Sequence, residues 1–467
     1  MSRLFTLERQ TIAPIPDAER HGTSRGLVAI WFGMNMTPLT VVTGATATTV
    51  LGLPLGWTII ALLAGNLVGG VGMALHAAQG PRLGVPQMLQ ARGQFGAHGA
   101  AVIVLVALVM FIGYFSSNLV VSIDSAHQIV PGLPGPVAVS LCALVSLVGT
   151  VFGYRLVRWL TAAGSYVVGT LAVVAFVRVL SDGAVWTHLG GGRVTAAGFF
   201  GAVALGVVWQ LTYAPYVSDY SRYLPRRTGA RGAFWGSYLG CVASSVLLMV
   251  LGAIVGLAAG GADTMAGLHT LLGPGVGFVV LLGFALVATA GNSVNVYCSS
   301  LCALTLVETF RRGWVPGVRA RVATTLVLQA LGVWIAVEAQ SGFASAYFSF
   351  LSVLLYVLIP WSAVNLVDYY LVRHADYDVD AFFAHDGGRY GRWNVGALLV
   401  FAVGVLAQLP FVVTGLYTGP LGAALDGVDL AWLVGFAVSC LGYYLLARLR
   451  PELVRLRRPA VREAVAP

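Results

Sequence analysis

The sequence predicts an all-α polytopic membrane protein with twelve transmembrane helices, and three observations carry that class. Of 467 residues, 58% are hydrophobic and only 10% charged, whereas soluble domains carry roughly 25% charged residues. Apolar runs of about 18 or more residues recur along the chain, each long enough to cross a bilayer as a helix. The third observation is where the positive charge falls. All 27 basic residues are arginine. Spans are expected at roughly 26–50, 55–78, 99–127, 135–153, 157–180, 196–221, 233–259, 274–308, 320–338, 343–372, 394–416 and 428–447. With the amino terminus inside, 25 of the 27 arginines then lie in cytoplasmic segments, leaving only Arg178 and Arg193 outside. A span count wrong by one would scatter that pattern, so an even number of spans with both termini cytoplasmic is expected.

The net charge of +9 is accounted for by these topogenic arginines, and no nucleic acid is expected as a partner. The five cysteines (Cys142, Cys241, Cys298, Cys302, Cys440) all fall in hydrophobic runs, which argues for reduced, packed thiols over disulfides or a zinc site. Residues 1–25 are polar, contain Pro14 and Pro16, and lack the apolar core of a cleavable signal. They are expected to form a cytoplasmic tail, as are residues 448–467. In GNLVGGVG, Gly65, Gly69 and Gly70 have the small-xxx-small spacing that lets membrane helices approach closely.

Two spans are expected to be broken. The first contains WFGMNMTPLTVVTG and the sixth VVWQLTYAPYVSDY, each with a proline inside an apolar run (Pro38, Pro215) and a polar residue three positions before it (Asn35, Thr212). Proline removes one backbone donor and frees the carbonyl four residues back. In lipid those groups cost several kcal/mol each, roughly, unless they line a cavity. The first span enters from the cytoplasm and the sixth from outside. Equivalent breaks five spans apart, pointing in opposite directions, predict a 5+5 inverted repeat with a binding site between the two halves. The expected repeats are 26–180 and 196–372, followed by two extra spans in 394–447.

Polar side chains in otherwise greasy spans supply the candidate site. Asn35 and Thr40 lie on the first span; Tyr114, Ser117 and Asn118 on the third; Trp209, Gln210, Thr212 and Tyr213 on the sixth; Asn292 and Asn295 on the eighth. Tyr114 and Asn118 are one turn apart and share a face, as do Asn292 and Asn295. An amide offers both donors and an acceptor, which suits the edge of a planar heterocycle. Asn118 and Asn292 are expected at that edge, with Trp209 and Tyr114 sandwiching the ring. No charged residue sits deep in a span: Asp124, Asp219, Glu308 and Asp368 lie near span ends. A buried charge needs a partner, so the expected solute is neutral and flat. Asp219 and Arg222, three apart at a cytoplasmic helix end, are expected to form a gate or anchor. Asn66 and His76 are expected to serve packing and surface.

Several of these stretches together resemble the nucleobase:cation symporter family, in its purine–cytosine permease branch. They are the loop GPRLGVPQMLQARGQFG (80–96), with Ala91, Arg92, Phe95 and Gly96 in its signature, then WFGMNM, GYFSSN, YAPYVSDYSRY and NLVDYY. The resemblance covers nearly the whole chain. It implies a leucine-transporter-like fold of ten core spans plus two, and transport of cytosine, purines or related bases with sodium or a proton. It assigns substrate contacts to Asn118 and Asn292 and stacking to Trp209. Tyr114 replaces a common tryptophan, and Gly291 and Val294 replace a family asparagine and proline. Sodium-coupled relatives use span 1 carbonyls and paired hydroxyls on span 8; here GFALVATAG offers only Thr289, so an ion site near Thr37 and Thr289 is left open between H+ and Na+.

The leading expectation is thus a symporter importing a nucleobase by alternating access, monomeric, embedded in membrane lipid and without a cofactor. Another heterocycle on the same fold (a hydantoin, allantoin or a vitamin precursor) is the alternative. A membrane enzyme would need paired acids, a histidine cluster or a nucleophile with its base, and the eight scattered histidines supply none. A channel would want oligomeric pore rings.

Overall fold

The computed structural model describes residues 14–454 apart from 153–168, 182, 184, 185, 187–191, 261, 262, 312, 313, 315 and 416. Helices account for nearly all regular structure among them; the bridge between Val413 and Thr418 is an isolated pairing. Among the described residues, eight single helices and one bent pair are long and apolar enough to cross a membrane. Shorter apolar helices at Gly135–Leu147, Gly169–Leu180 and Val395–Phe411 stand where the fourth, fifth and eleventh spans are expected. Arg155 and Arg158, assigned to a cytoplasmic connection, lie outside the described residues.

The first span is two helices, α1 (Ser24–Met34) and α2 (Pro38–Thr49), bent by 63°. The cause is local. Proline pushes its predecessor out of the helical region, and Thr37 is extended at φ −126°, ψ 151°. The chain continues through α3 (Leu55–Ala77), α4 (Gly80–Leu83), α5 (Gln87–Phe95) and α6 (Ala100–Ile129). Next come α7 (Gly135–Phe152) and α8 (Gly169–Leu180). The sixth span is α9 (Ala196–Leu211) and α10 (Ala214–Ser221), interrupted at Thr212–Tyr213. Here the expectation of two like breaks fails. Thr212 and Tyr213 keep helical dihedrals, so α9 and α10 run on as one 26-residue span without a sharp bend.

Beyond them lie α11 (Gly229–Ala258), α12 (Thr264–Phe310), α13 (Val318–Glu338), α14 (Phe343–Leu366), α15 (Val395–Leu406), α16 (Pro420–Ala424) and α17 (Ala431–Leu449). α12 carries a break at Gly273 (φ 75°), so the helix that forms the eighth span begins at Pro274, where it is expected, and a shorter helix precedes it. The eleventh is shorter, since α15 stops at Leu406 ahead of a turn at Leu409–Phe411.

Packing sorts the spans into groups. α2 and α1 lie along α11, and α9 lies along α3, which also touches α11. Separately, α6 lies along α12, with α7 and α13 against both. The first, second, sixth and seventh spans thus form one body, and the third, fourth, eighth and ninth another. Exchanging each span with the one five away maps these pairings onto each other, the first with the seventh onto the sixth with the second, and the fourth with the eighth onto the ninth with the third.

Glycines set the closest approaches. A Cβ on Gly65 would lie 2.2 Å from the carbonyl oxygen of Val203, and one on Gly206 would meet the backbone of Gly65 and Asn66. Gly44 and Gly252 play the same part between α2 and α11, where added carbons would fall 1.9 Å from the Met249 oxygen and 1.8 Å from the Val41 oxygen. Gly44 is therefore a packing contact, not a flexing point.

The arginine-rich connections meet at one end. Arg20 donates to the carbonyls of Ile15 and Pro81, and Asp17 pairs with Arg226 at 3.1 Å. A buried cluster locks this end. Asp368, in the π-turn Val367–Val372 that extends α14, accepts from Arg373 (2.9 Å), from Tyr443 (2.8 Å) and from the hydroxyl of Tyr377. Burial opposes the charge on Arg373, yet Asp368 beside it lifts the guanidinium pKa above its ordinary value. His76, expected at the surface, is fully buried and stacks on Trp361 with ring centres 5.0 Å apart.

Because the atom met at Gly252 is backbone and cannot swing aside, Gly252→Val should cost about 1–3 kcal/mol of overpacking. Melting of the purified protein in detergent checks this; an unchanged midpoint would refute the close crossing.

Candidate functional site

A cavity lies midway along the spans, where the break of the first span meets α6, the α9–α10 junction and α12. Its lining includes Thr37, Tyr114, Asn118, Trp209, Thr212, Tyr213 and Asn295, all singled out from the sequence. Phe111, Tyr216 and Gly291 complete much of the wall. Phe111 and Tyr216 went unrecognised because an aromatic residue in an apolar helix carries no polar signal. Their spacing does carry one: Phe111 is three before Tyr114, and Tyr216 is four after Thr212, so each shares a face with a predicted residue.

Asn118 is the informative group. Its amide oxygen is buried and accepts no hydrogen bond from the described residues. An unmet buried acceptor costs about 1–3 kcal/mol. A ligand N–H arriving in the cavity would remove that penalty.

Other predicted residues turn away from the cavity. Asn35 is fully buried and already engaged. Its oxygen accepts from Trp209 Nε1 (2.7 Å), Tyr213 OH (2.8 Å) and Ser245 Oγ (2.9 Å), and its amide nitrogen donates to the Trp31 carbonyl and meets Cys241 Sγ. It positions two wall residues and does not line the wall itself. Thr40 donates to the Asn35 carbonyl at 2.6 Å, closing the turn. Gln210 bonds Asn66 (2.8 Å) and Ser245 (3.2 Å) between α9, α3 and α11. Ser117 is buried off the lining. Asn292 donates to the Phe115 carbonyl at 3.0 Å and accepts from Asn295 at 3.1 Å. The neighbour three residues on therefore reaches the cavity, and Asn292 steers it.

The expected ring sandwich is absent. Trp209 and Tyr114 meet edge to face, 6.1 Å apart at 85°. Trp209 Nε1 is tied to Asn35 and Tyr114 OH donates to Thr212 Oγ1 at 3.2 Å, so both rings are held at an angle and offer one face and one edge. The hydroxyls proposed for an ion make hydrogen bonds within the protein. Thr289 Oγ1 donates to the Ala285 carbonyl, and Thr37 and Thr40 bond each other. Among the described residues no cluster of histidine, cysteine and carboxylate groups has the geometry to hold a metal.

A second cavity continues from the first toward the arginine-rich end. The two share Phe111, Tyr216 and Val294, and the second reaches Cys298, Cys302, Asp219, Arg222 and Arg92. Asp219 accepts the backbone N–H of Gln87 at 2.9 Å, and Arg222 Nε reaches back to the Asp219 carbonyl at 3.3 Å. The first contact fastens α10 to α5, and the second lies within the end of α10. Toward the other end, Phe350 packs edge to face on Tyr114 (5.6 Å), and Tyr347 bonds Thr43 (2.9 Å) and stacks on Phe343.

Residues 14–435 match the family described as permeases for cytosine/purines, uracil, thiamine and allantoin. The chain belongs to that family. It is 36% identical over 449 residues to YxlA of Bacillus subtilis, a provisionally assigned purine-cytosine permease, covering 95% of this chain and 96% of the relative. It is 23% identical to the purine-cytosine permease fcyB of Emericella nidulans, covering 95% and 88%. Its fold matches Mhp1, a nucleobase-cation-symport-1 family transporter. The inward-facing form aligns with a TM-score of 0.74 at 19% identity over 96% of this chain and 95% of that one. A closed form with bromovinylhydantoin bound gives 0.74 at 18% over 94% of each. The leucine-transporter-like architecture is therefore the fold, and this permease is a multi-pass transporter of the nucleobase–cation symport class, not an enzyme.

Cys298 and Cys302 line the second cavity one turn apart. A membrane-permeant maleimide should label them, and Cys298→Ser/Cys302→Ser should remove that labelling. Equal labelling of the double variant would show that the cavity is closed.

Proposed function

We propose that this permease imports a neutral planar nucleobase, cytosine or a purine, together with a proton, by alternating access between the first-span break and the α6–α12 pair. The unpaired Asn118 oxygen, in a cavity walled by Tyr114, Trp209 and Tyr216, carries the reading. It asks for a ring N–H or exocyclic amine. Asn295 and Thr212 supply further polar groups on the opposite walls, so a ring with mixed donors and acceptors at its edge fits. The absence of charged side chains from this lining matches a neutral solute.

Proton coupling is favoured over sodium because the stretch GFALVATAG before Asn292 offers Thr289 alone, where sodium-coupled relatives use paired hydroxyls. Sodium would need several oxygens turned toward it. The arginine-rich end is taken as cytoplasmic, with both termini there, in line with the positive-inside distribution. The transporter is read as monomeric, with repeats 26–180 and 196–372 and two added spans in 394–447. A hydantoin or allantoin is the second reading: such rings present the same amide edge, and the Mhp1 structure holds bromovinylhydantoin.

Reconstituted protein should take up labelled cytosine or a purine, and an unlabelled panel of bases, allantoin and hydantoins should rank the solutes. Competition by hydantoins alone would replace the first reading with the second. Asn118→Ala should raise KM roughly 5- to 30-fold, the loss of about 1–2 kcal/mol, with normal membrane insertion. Asn292→Ala should act through Asn295, so Asn295→Ala should reproduce its defect. Uptake should rise with an inward proton gradient at constant sodium. Strict sodium dependence at constant pH would overturn the coupling.

A further inference from the structure

A third cavity, of about 590 Å³, lies at the arginine-rich end, outside the route just described. Three separate connections meet in it. Arg82 comes from α4, Arg226 from the turn that leads into α11, and His374 from the end of the α14 extension. Tyr369 and Tyr370 form a wall, and the first residues of α11, Gly229 and Ala230, complete the lining.

Its chemistry is that of an anion site. Arg82 is exposed and makes no ion pair among the described residues. Arg226 shares its charge with Asp17, but both side chains are more than half exposed, where an ion pair contributes about 0–1 kcal/mol. The cavity therefore keeps net positive charge. His374 Nδ1 lies 3.0 Å from the Tyr370 carbonyl, leaving the other ring nitrogen uncommitted. His374 and the next residue, Ala375, both have positive φ (49° and 61°). Such backbone is sparsely populated by residues other than glycine. The cavity also lies at the ends of apolar helices. The helices that carry it expose Trp235 and Leu371, side chains suited to the junction of headgroups and hydrocarbon.

We propose that this cavity binds a phosphate group, that of an anionic phospholipid headgroup in the same leaflet, held by Arg82 and Arg226 with His374 beside them. Basic pockets between membrane helices on the cytoplasmic side are suited to such headgroups. The orientation rests on the topology proposed above. An occupant would tie the end of α14 to the second and seventh spans, across the seam between the first body of helices and the C-terminal ones. Soluble phosphate presents the same oxygens, so the two sources need separate arms.

The full chain in neutral detergent should melt higher on addition of phosphatidylglycerol than of phosphatidylcholine, by about 2–4 °C. Arg82→Gln, which breaks no ion pair, should lose at least half of that shift, and Arg82→Gln/Arg226→Gln most of it. Arg193→Gln, at the opposite end, should keep it. An undiminished shift in the double variant overturns the proposal, as does the lack of any difference between the two lipids. An equal shift from inorganic phosphate alone would overturn the lipid assignment in favour of a soluble anion. Because melting reads binding without transport, failure here leaves the nucleobase reading standing, and failure of uptake leaves this one standing.

Discussion

The oxygen of Asn35 gathers the indole of Trp209, the hydroxyl of Tyr213 and the hydroxyl of Ser245 at 2.7–2.9 Å, and much of the centre of the molecule depends on that convergence. Three spans are joined there: the first at its break, the sixth near its interruption and the seventh through Ser245. The bond to Trp209 fixes the ring's tilt, and the bond to Tyr213 fixes the residue at the interruption. The bend thus places an amide side chain at the meeting point of three helices, where its polar atoms are met by protein and not by lipid.

The two proline-bearing spans solve one physical problem in different ways. At Pro38 the preceding residue goes extended, the chain turns through 63°, and the Asn35 carbonyl accepts both the Thr37 N–H and the Thr40 hydroxyl. At Pro215 the preceding residues stay helical, and the Thr212 hydroxyl bonds the Trp209 carbonyl. Exposed backbone is covered by a threonine in both cases, which explains why a hydroxyl accompanies each proline. One hinge is sharply bent and the other is not, so the two halves are related in pattern without being alike in shape.

Sequence alone revealed most of the architecture. Hydrophobic runs located most of the spans, and the matched prolines pointed to an inverted repeat. At the site it revealed which helices contribute polar groups, and Tyr114 with Asn118 landed on the cavity face as their i, i+4 spacing required. Direction was the part that stayed hidden. Asn35, Gln210 and Asn292 are as polar as Asn118, but each points into a helix–helix seam, where it bonds a backbone carbonyl or another amide. A sequence reports that a buried amide needs partners; whether protein or ligand supplies them depends on rotation about the helix axis. The break geometry and the eighth span's kink set that rotation.

Packing shows why a ligand in the central cavity would change the shape of the whole molecule. Trp209, Thr212 and Tyr213 belong to one body of helices; Tyr114, Asn118 and Asn295 belong to the other. Across this divide the wall residues make the Tyr114–Thr212 hydrogen bond at 3.2 Å and edge-on ring contacts. Those contacts are weak compared with the glycine-mediated crossings inside the first body, where backbones touch. A solute that bonds Asn118 on one side and stacks on the sixth span on the other adds its binding energy across the divide, and nowhere else. It therefore favours whichever relative placement of the two bodies brings both walls to it, which is the differential affinity that a population shift requires. The rigid parts are tied within each body and the loose seam runs through the site, so transport and binding draw on the same contacts.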